Sequence, residues 1–371
     1  MKLHQFLKNE RPLVVYSEGA TYRPHLEPIV EEYAGRGLPV AYVTSEKADF
    51  DAPFRSANIL RFHIGNGVKR TWFFQTVDCE VLVTTMPDLD QLHLKRSIHP
   101  VHYVYTQHSL NSLHMVYRER AFDSYDTIFA AGSHHVKEAR AMEKHLESKP
   151  KNVVEQGYVF LDELKAAAQA HSLQTSSRLL AEKTSTVLIA PSWGPEGLIE
   201  NHGEVVIRNL LSFGFEVIVR PHPRTLQLAG KVVKQLSGIF SSHPRFTLDS
   251  SSNPLNSYLR SDILVTSWSG ALFEYALAFG KPVIHIDVPR KTRNLNYQQI
   301  DLDPFEVEHR GDFGAICPIG ALGNLAQQIE KVLCSARAPQ SSGASEAEAK
   351  LFARGEGALI ASEYLMELGG K

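Results

Sequence analysis

The sequence predicts an α/β protein built from two doubly wound, Rossmann-like domains with a cleft between them. Three observations predict it. Short apolar runs of three to six residues recur through the chain, as buried parallel strands do. Helical periodicity fills most of the gaps between them. The alternation pauses once, in the polar Ala-, Gln- and Ser-rich stretch 165–178, and then starts again. At 371 residues the chain is long enough for two separate cores.

The first domain, residues 1–170, opens with a strand at Leu13–Ser17, a turn at Glu18–Tyr22, a helix at Leu26–Tyr33 and a strand at Pro39–Thr44. The Gly19 loop falls at the carboxyl edge of that sheet, where such folds collect ligands. Further strands are expected at Ile59–Phe62, Val81–Thr84, Val101–Tyr105, Thr127–Ala131 and Val153–Gly157. Gly-x-Gly-x-x-Gly is absent, so the sequence carries no dinucleotide fingerprint.

The second domain, residues 184–334, is expected to run through a strand at Thr186–Ala190, a Pro191-Ser192-Trp193-Gly194 loop, a helix at Val205–Phe213 and a strand at Glu216–Val219. A helix at Leu226–Leu236, a strand at Phe246–Leu248 and a helix at Asn253–Arg260 follow. The unit that organises the chain comes next: strand Ile263–Val265, polar loop Thr266–Gly270, a helix ended by Gly280 and Pro282, and strand Val283–Ile286. Residues 335–347 read as a flexible low-complexity linker. Glu348–Leu368 reads as an amphipathic helix that can return to the first domain.

Composition excludes several classes. The formal net charge is −2, so no bulk positive charge points to nucleic acid. No apolar run approaches the roughly 20 residues that span a bilayer. The amino-terminal residues lack a signal-peptide core, and the three scattered cysteines form neither a disulfide framework nor a zinc set. These features predict a cytoplasmic protein. Asp88 and Asp90 lie close together but have no companion ligands, so they read as a helix start and no metal or other cofactor is expected.

Four loops at strand ends carry groups suited to a phosphorylated ligand. Thr106-Gln107-His108-Ser109 offers a histidine that can act as general base towards a hydroxyl. Arg220-Pro221-His222-Pro223-Arg224 places three basic residues at alternate positions, which an extended backbone would aim in one direction, towards a diphosphate. Pro191-Ser192-Trp193-Gly194 can hold a base or ribose by stacking. Thr266-Ser267-Trp268-Ser269-Gly270 presents hydroxyls and backbone N–H groups at a helix start, with Glu274 about one turn in, within reach of a ribose. Read blandly, His108 is a capping residue, Trp193 a buried edge residue, Ser269-Gly270 an N-cap and Glu274 a solvated helix position.

In this order the loops resemble the CDP-glycerol glycerophosphotransferase family of the GT-B superfamily, which builds teichoic acids and related capsule polymers. The matching pieces are Gln107-His108-Ser109, Ala190-Pro191-Ser192-Trp193, Arg220-Pro221-His222-Pro223, Thr266–Gly270 and Gly157–Asp162. The family's His-Gly is His108-Ser109 here, its aspartate is Ser267 and its second serine is Gly270. The resemblance implies a GT-B-type transferase that takes a CDP-glycerol-like CDP-alditol donor and a polymer or lipid-linked hydroxyl acceptor. It implies His108 as base and His222 as catalytic partner on the donor phosphates. Gly19, Ser109, Pro191, Ser192, Trp193, Arg220, Arg224, Thr266, Ser267, Ser269, Gly270 and Glu274 would contact substrate. No metal would be strictly required, and the enzyme would work in the cytoplasm, with peripheral attachment to the inner face of the cell membrane as an option.

Two alternatives share the shell. Ser269-Gly270 followed by Glu274 and Gly280-Lys281-Pro282-Val283 is similar to the UDP-N-acetylglucosamine 2-epimerase motif, which points to a UDP-sugar-dependent GT-B glycosyltransferase or an epimerase-like enzyme. A non-catalytic binding protein that keeps a GT-B shell is the alternative of another class.

Overall fold

A computed structural model describes residues 2–91, 94–175, 184–336 and 345–370. The chain divides into two compact units. The first comprises residues 1–163, 292–304 and 350–371; the second comprises 164–291 and 305–349.

The first unit contains β1 (Leu13–Ser17), β2 (Val40–Thr44), β3 (Ile59–His63), β4 (Val81–Thr84), β5 (His102–Thr106), β6 (Thr127–Phe129) and β7 (Asn152–Val154). Its helices are α1 (Leu3–Glu10), α2 (Glu27–Gly35), α3 (Lys47–Asp51), α4 (Val68–Thr76), α5 (Leu113–Val116), α6 (Ser133–Leu146) and the start of α7 (Val159–Thr175). The strands form one parallel sheet in the order β3-β2-β1-β4-β5-β6-β7. Every residue of β1, β2 and β4 is buried, because helices cover both faces. One face packs Val14, Tyr16, Tyr103 and Tyr105 against Phe73 and Phe74 of α4. The other packs Val15, Tyr42 and Val83 against Ile29 and Tyr33 of α2.

The second unit contains β8 (Thr186–Ile189), β9 (Glu216–Val219), β10 (Phe246–Leu248), β11 (Ile263–Thr266), β12 (Val283–Asp287) and β13 (Gly314–Pro318). Its later helices are α8 (Leu198–Phe213), α9 (Pro223–Leu228), α10 (Gly230–Phe240), α11 (Leu255–Arg260), α12 (Ala271–Phe279), α13 (Phe305–His309), α14 (Leu325–Ala336) and α15 (Glu346–Ala349). This parallel sheet runs β10-β9-β8-β11-β12-β13. Both sheets therefore reverse their winding between the first strand of the unit and the fourth. At such a reversal two strand-end loops diverge and leave a crevice for ligand.

The organising unit forms as its sequence predicts. β11 is wholly buried, and α12 stops at Gly280, whose φ of 61° suits a residue without Cβ.

Four expectations are corrected. Leu226–Leu236 is not one helix: α9 ends at Leu228 and α10 begins at Gly230. Asp88 and Asp90 start no helix; both have positive φ, 65° and 64°, in a turn where Asp88 pairs with Arg118. The last helix, α16 (Gly357–Leu368), begins later than Glu348. Residues 350–352 instead bond to the junction of β6 and α6, through Ser133 N–H to the Lys350 carbonyl and Phe352 N–H to the Ala131 carbonyl. A backbone engaged in that way cannot also coil. α16 packs along α2, with Ala361 and Leu365 buried beside Val30 and Tyr33. Fourth, a strand not expected from sequence, β13, closes the second sheet. Of the expected linker, 337–344 lies outside the described residues, as do 176–178 of the polar stretch.

Candidate active site

In the second unit the winding reverses between β8 and β11, so the loops that follow them flank the crevice. These are the Pro191–Gly194 and Ser267–Gly270 loops. Two hydrogen bonds staple them: Ser192 N–H to the Ser267 carbonyl (3.1 Å) and Thr266 Oγ1 to the Ala190 carbonyl (2.8 Å). Thr266 and Ser267 are fully buried and shape the backbone, whereas Ser269 and Gly270 stay half-exposed at the start of α12.

Trp193 is the centre of a cationic cluster. Lys291 Nζ sits 4.0 Å from its ring centroid and the Arg224 guanidinium 4.9 Å from it. Lys291 also donates to Ser192 Oγ at 2.8 Å. The His222 ring lies 6.2 Å away, centroid to centroid. Its Nδ1 accepts the Arg224 N–H at 3.1 Å, which leaves Nε2 as the N–H of the neutral ring, a donor. Glu200 holds the loops in register by accepting from Thr225 Oγ1 (2.8 Å) and from Gly194 N–H (3.4 Å).

The three basic residues of the 220–224 segment do not point together. Alternation holds only in extended chain, and α9 begins at Pro223, with His222 as its N-cap. His222 and Arg224 turn to Trp193. Arg220 turns to the loop after β10, where it bonds Asp249 (2.6 Å), Ser251 Oγ and the carbonyls of Ser251 and Ser252. Burial pushes the Asp249 pKa up, but bonds from Ser251 and Ser257 and the Arg220 charge outweigh it and leave it at about 2. Arg220 thus braces the wall of the crevice.

Glu274 is buried, 8 % exposed, and accepts from Tyr258 Oη at 3.0 Å. It is not a solvated helix residue. Between Ser267 and Ser269, Trp268 takes a φ of 24°, a left-handed conformation unusual for a bulky residue. Its indole is fixed by an N–H bond to the Val288 carbonyl (2.8 Å), by Arg310 at 4.9 Å and Arg290 at 5.5 Å, and by an edge contact with His285 at 4.8 Å. Burial, then the Arg310 charge, lowers the His285 pKa to about 3.

In the first unit His108 follows β5, next to the reversal between β1 and β4. It is half-buried in an aromatic box. Tyr105 Oη lies 3.4 Å from Nδ1, Tyr117 Oη lies 3.5 Å from Nε2, and the Tyr22 and His25 rings stand 5.5 and 6.2 Å away. Burial lowers its pKa to about 4, partly opposed by a backbone hydrogen bond at Thr85. The ring is therefore neutral near pH 7, the form that accepts a proton. His25, buried between Tyr158 and Phe160, is held well below its ordinary pKa by burial and then by His108.

Ser109 caps the turn that follows, accepting from Asn111 N–H at 3.1 Å. Gly19 has its space filled by Glu46: a Cβ there would meet Glu46 Oε2 at 2.3 Å, and that oxygen accepts from Ala20 N–H. Sequence reasoning missed Lys291, Glu200, Asp249, Tyr258 and His25. For Asp249 the only available signal is its place at the end of a strand. Among the described residues, no group of three or more His, Cys, Asp or Glu is placed to hold a metal ion.

A family model described as CDP-glycerol:poly(glycerophosphate) glycerophosphotransferase matches residues 71–292. No curated protein matches. Among solved structures, the wall teichoic acid polymerase TagF is similar at a TM-score of 0.62 and 14 % identity, covering 97 % of this chain and 89 % of its own. The UDP-GlcNAc 2-epimerase of Methanocaldococcus jannaschii is similar at 0.60 and 12 %, covering 96 % and 99 %. A UDP-N-acetylglucosamine 2-epimerase assigned in Listeria monocytogenes reaches 0.56 and 13 %, covering 98 % of both chains. At these identities the structures establish the shared GT-B-type fold.

Proposed function

Because this chain belongs to the CDP-glycerol:poly(glycerophosphate) glycerophosphotransferase family and is a transferase, we propose that it moves glycerophosphate from CDP-glycerol to a hydroxyl of a growing cell-envelope polymer of the teichoic acid kind. The observation that carries this reading is at the second unit's crevice, where Trp193 of the loop after β8 is met by Lys291 from the segment after β12 and by Arg224 and His222 from the segment after β9.

In the proposed reaction Trp193 and the Ser267–Gly270 loop take the nucleotide end of the donor. Arg224 and Lys291 face its diphosphate, and His222 donates a hydrogen bond from Nε2 to the departing phosphate. Neutral His108 accepts the proton of the acceptor hydroxyl as its oxygen attacks the distal phosphorus. A new P–O bond forms, the bridging P–O bond breaks, and CMP leaves with the electron pair. These cations and the α12 N-terminus offset the developing charge, so the proposed mechanism requires no divalent metal.

The acceptor is proposed to be the hydroxyl end of a polymer or lipid-linked chain, met at the inner membrane face. Among the described residues no helix is long and apolar enough to cross a membrane. A titration of CDP, CDP-glycerol, UDP and UDP-N-acetylglucosamine, followed by a turnover assay, tests the reading. Tight CDP-glycerol binding with acceptor-dependent CMP release supports it. Preference for a UDP-sugar would favour the epimerase-like alternative, and binding without turnover the non-catalytic one.

A further inference from the structure

His108 and two tyrosines close a ring of hydrogen bonds within the first unit. Tyr105 lies in β5, three residues before the histidine, and Tyr117 directly follows α5. The Tyr105 hydroxyl donates to Tyr117 Oη at 3.2 Å. Its one proton is committed there, so towards His108 Nδ1, 3.4 Å away, the oxygen can only accept. Nδ1 must then carry the N–H of the neutral imidazole. Nε2 is left with its lone pair, and the Tyr117 hydroxyl, 3.5 Å away, donates to it.

Packing holds all three members in place. The imidazole stands nearly perpendicular to the Tyr22, Tyr105 and Tyr117 rings, at 82°, 75° and 84°. Phe122 braces both tyrosines, its centroid 4.8 Å from Tyr105 and 5.1 Å from Tyr117, and Tyr125 stands 5.4 Å from Tyr105. Tyr105 is wholly buried and Tyr117 nearly so, whereas His108 is the member that meets solvent. Burial holds the Tyr105 pKa well above its ordinary value, so its hydroxyl stays protonated. The Thr85 carbonyl also meets the imidazole. A carbonyl only accepts, so on Nδ1 it reinforces the same tautomer and on Nε2 it favours the other.

We propose that Tyr105 and Tyr117 are positioning residues for His108, which keep the proton of its neutral ring on Nδ1 and leave Nε2 to receive the proton of the acceptor hydroxyl. A neutral imidazole has two tautomers, and only one of them offers its lone pair on Nε2. The closed ring of hydrogen bonds selects that one and fixes the plane of the base before any acceptor arrives.

The arrangement also suits the reaction. When Nε2 takes the proton of the attacking hydroxyl, the ring becomes an imidazolium. The bond from Nδ1–H to Tyr105 Oη is then charge-assisted and stronger than in the resting protein, so it favours the transition state over the ground state. The bond from Tyr117 to Nε2 is long, and the acceptor hydroxyl replaces it. This step rests on the proposed function; the tautomer itself does not.

Nitrogen-15 NMR of the full chain with labelled histidine, near neutral pH and with His108 assigned by the signal lost in His108→Ala, tests the proposal. The Nδ1–H form should predominate in the wild type. Tyr105→Phe and Tyr117→Phe each break the ring and should move the tautomer ratio towards Nε2–H by about fivefold, the worth of one neutral hydrogen bond. Each should lower kcat for acceptor-dependent CMP release about threefold to tenfold, with the KM of donor and acceptor within about twofold of wild type. The double variant should match the slower single variant, because one ring is broken only once. Should Tyr105→Phe fail to fold, Tyr117→Phe makes the same test. A predominant Nδ1–H form in a wild type without turnover would uphold the ring while removing the functional reading. The proposal is overturned by a predominant Nε2–H form in the wild type, by an unchanged tautomer ratio in Tyr117→Phe, or by KM rising in step with the loss of kcat.

Discussion

Lys291 Nζ stands 4.0 Å from the ring centroid of Trp193 while donating to Ser192 Oγ at 2.8 Å. The lysine ties the loop after β8 to the segment after β12 and fixes the indole at the rim of the crevice. A cation over an indole contributes about 0.5–2 kcal/mol. Lys291→Met should therefore weaken CDP-glycerol binding about twofold to thirtyfold by calorimetry, with KM rising more than kcat falls. Unchanged affinity would remove Lys291 from the donor site.

Arg220 and Asp249 form the brace of that crevice. Asp249→Ala should cost about 2–4 kcal/mol in urea unfolding, less than a fully buried pair because 13–15 % of each side chain remains exposed. Arg220→Ala should cost a similar amount, and both should leave donor affinity within about threefold. A much larger loss of donor affinity in Arg220→Ala than in Asp249→Ala would mean that the guanidinium itself grips the diphosphate.

The histidines give stability a pH dependence of defined sign. His108 and His285 have pKa values lowered to about 4 and about 3, and His25 and His135 are also lowered. The unfolded chain binds these protons near pH 6.5, before the fold does. Their contribution is complete above about pH 6.5 and is lost as pH falls towards the folded values. The urea midpoint should drop steeply from pH 6.5 to 4, and His285→Asn should flatten that slope. A midpoint independent of pH over this window would contradict the burial of neutral imidazoles. The acid limb of kcat/KM should lie near pH 4–5, with the limb of kcat higher, because a bound anionic donor favours protonated His108.

Helix α16 holds to α2 through Leu365, which is 1 % exposed. Leu365→Ala should destabilise the protein by about 2–4 kcal/mol, the usual cost of a buried leucine truncated in place. Faster amide exchange in α2 and α16, with nucleotide binding retained, would mark the change as confined to this contact.

Much of the fold is legible because its strands are continuous buried apolar runs: Leu13–Ser17 and Ile263–Thr266 stand out from their flanks. β13 does not, because Gly-Ala-Ile-Cys-Pro lies at a sheet edge with alternate residues exposed. The break between α9 and α10 at Ala229 leaves no mark in the apolar periodicity. The candidate site is legible one loop at a time. His108, His222 and Trp193 follow strands and carry distinctive side chains. Lys291 is separated from Ser192 by 99 positions, and His25 from Tyr158 by 133, so only the folded chain brings them together. Arg220 was legible as a basic residue in the right loop, but its partner Asp249 follows a different strand.

The central claim is that His108 removes the acceptor's proton while the second unit holds the donor. The measurement that tests it most directly is acceptor-dependent CMP release from CDP-glycerol by wild type and His108→Ala, each paired with a calorimetric donor titration. The account predicts a fall in kcat of about 10²–10⁴ with donor affinity within about twofold of wild type. CMP release that persists undiminished in His108→Ala, or donor affinity that collapses together with turnover, would contradict it.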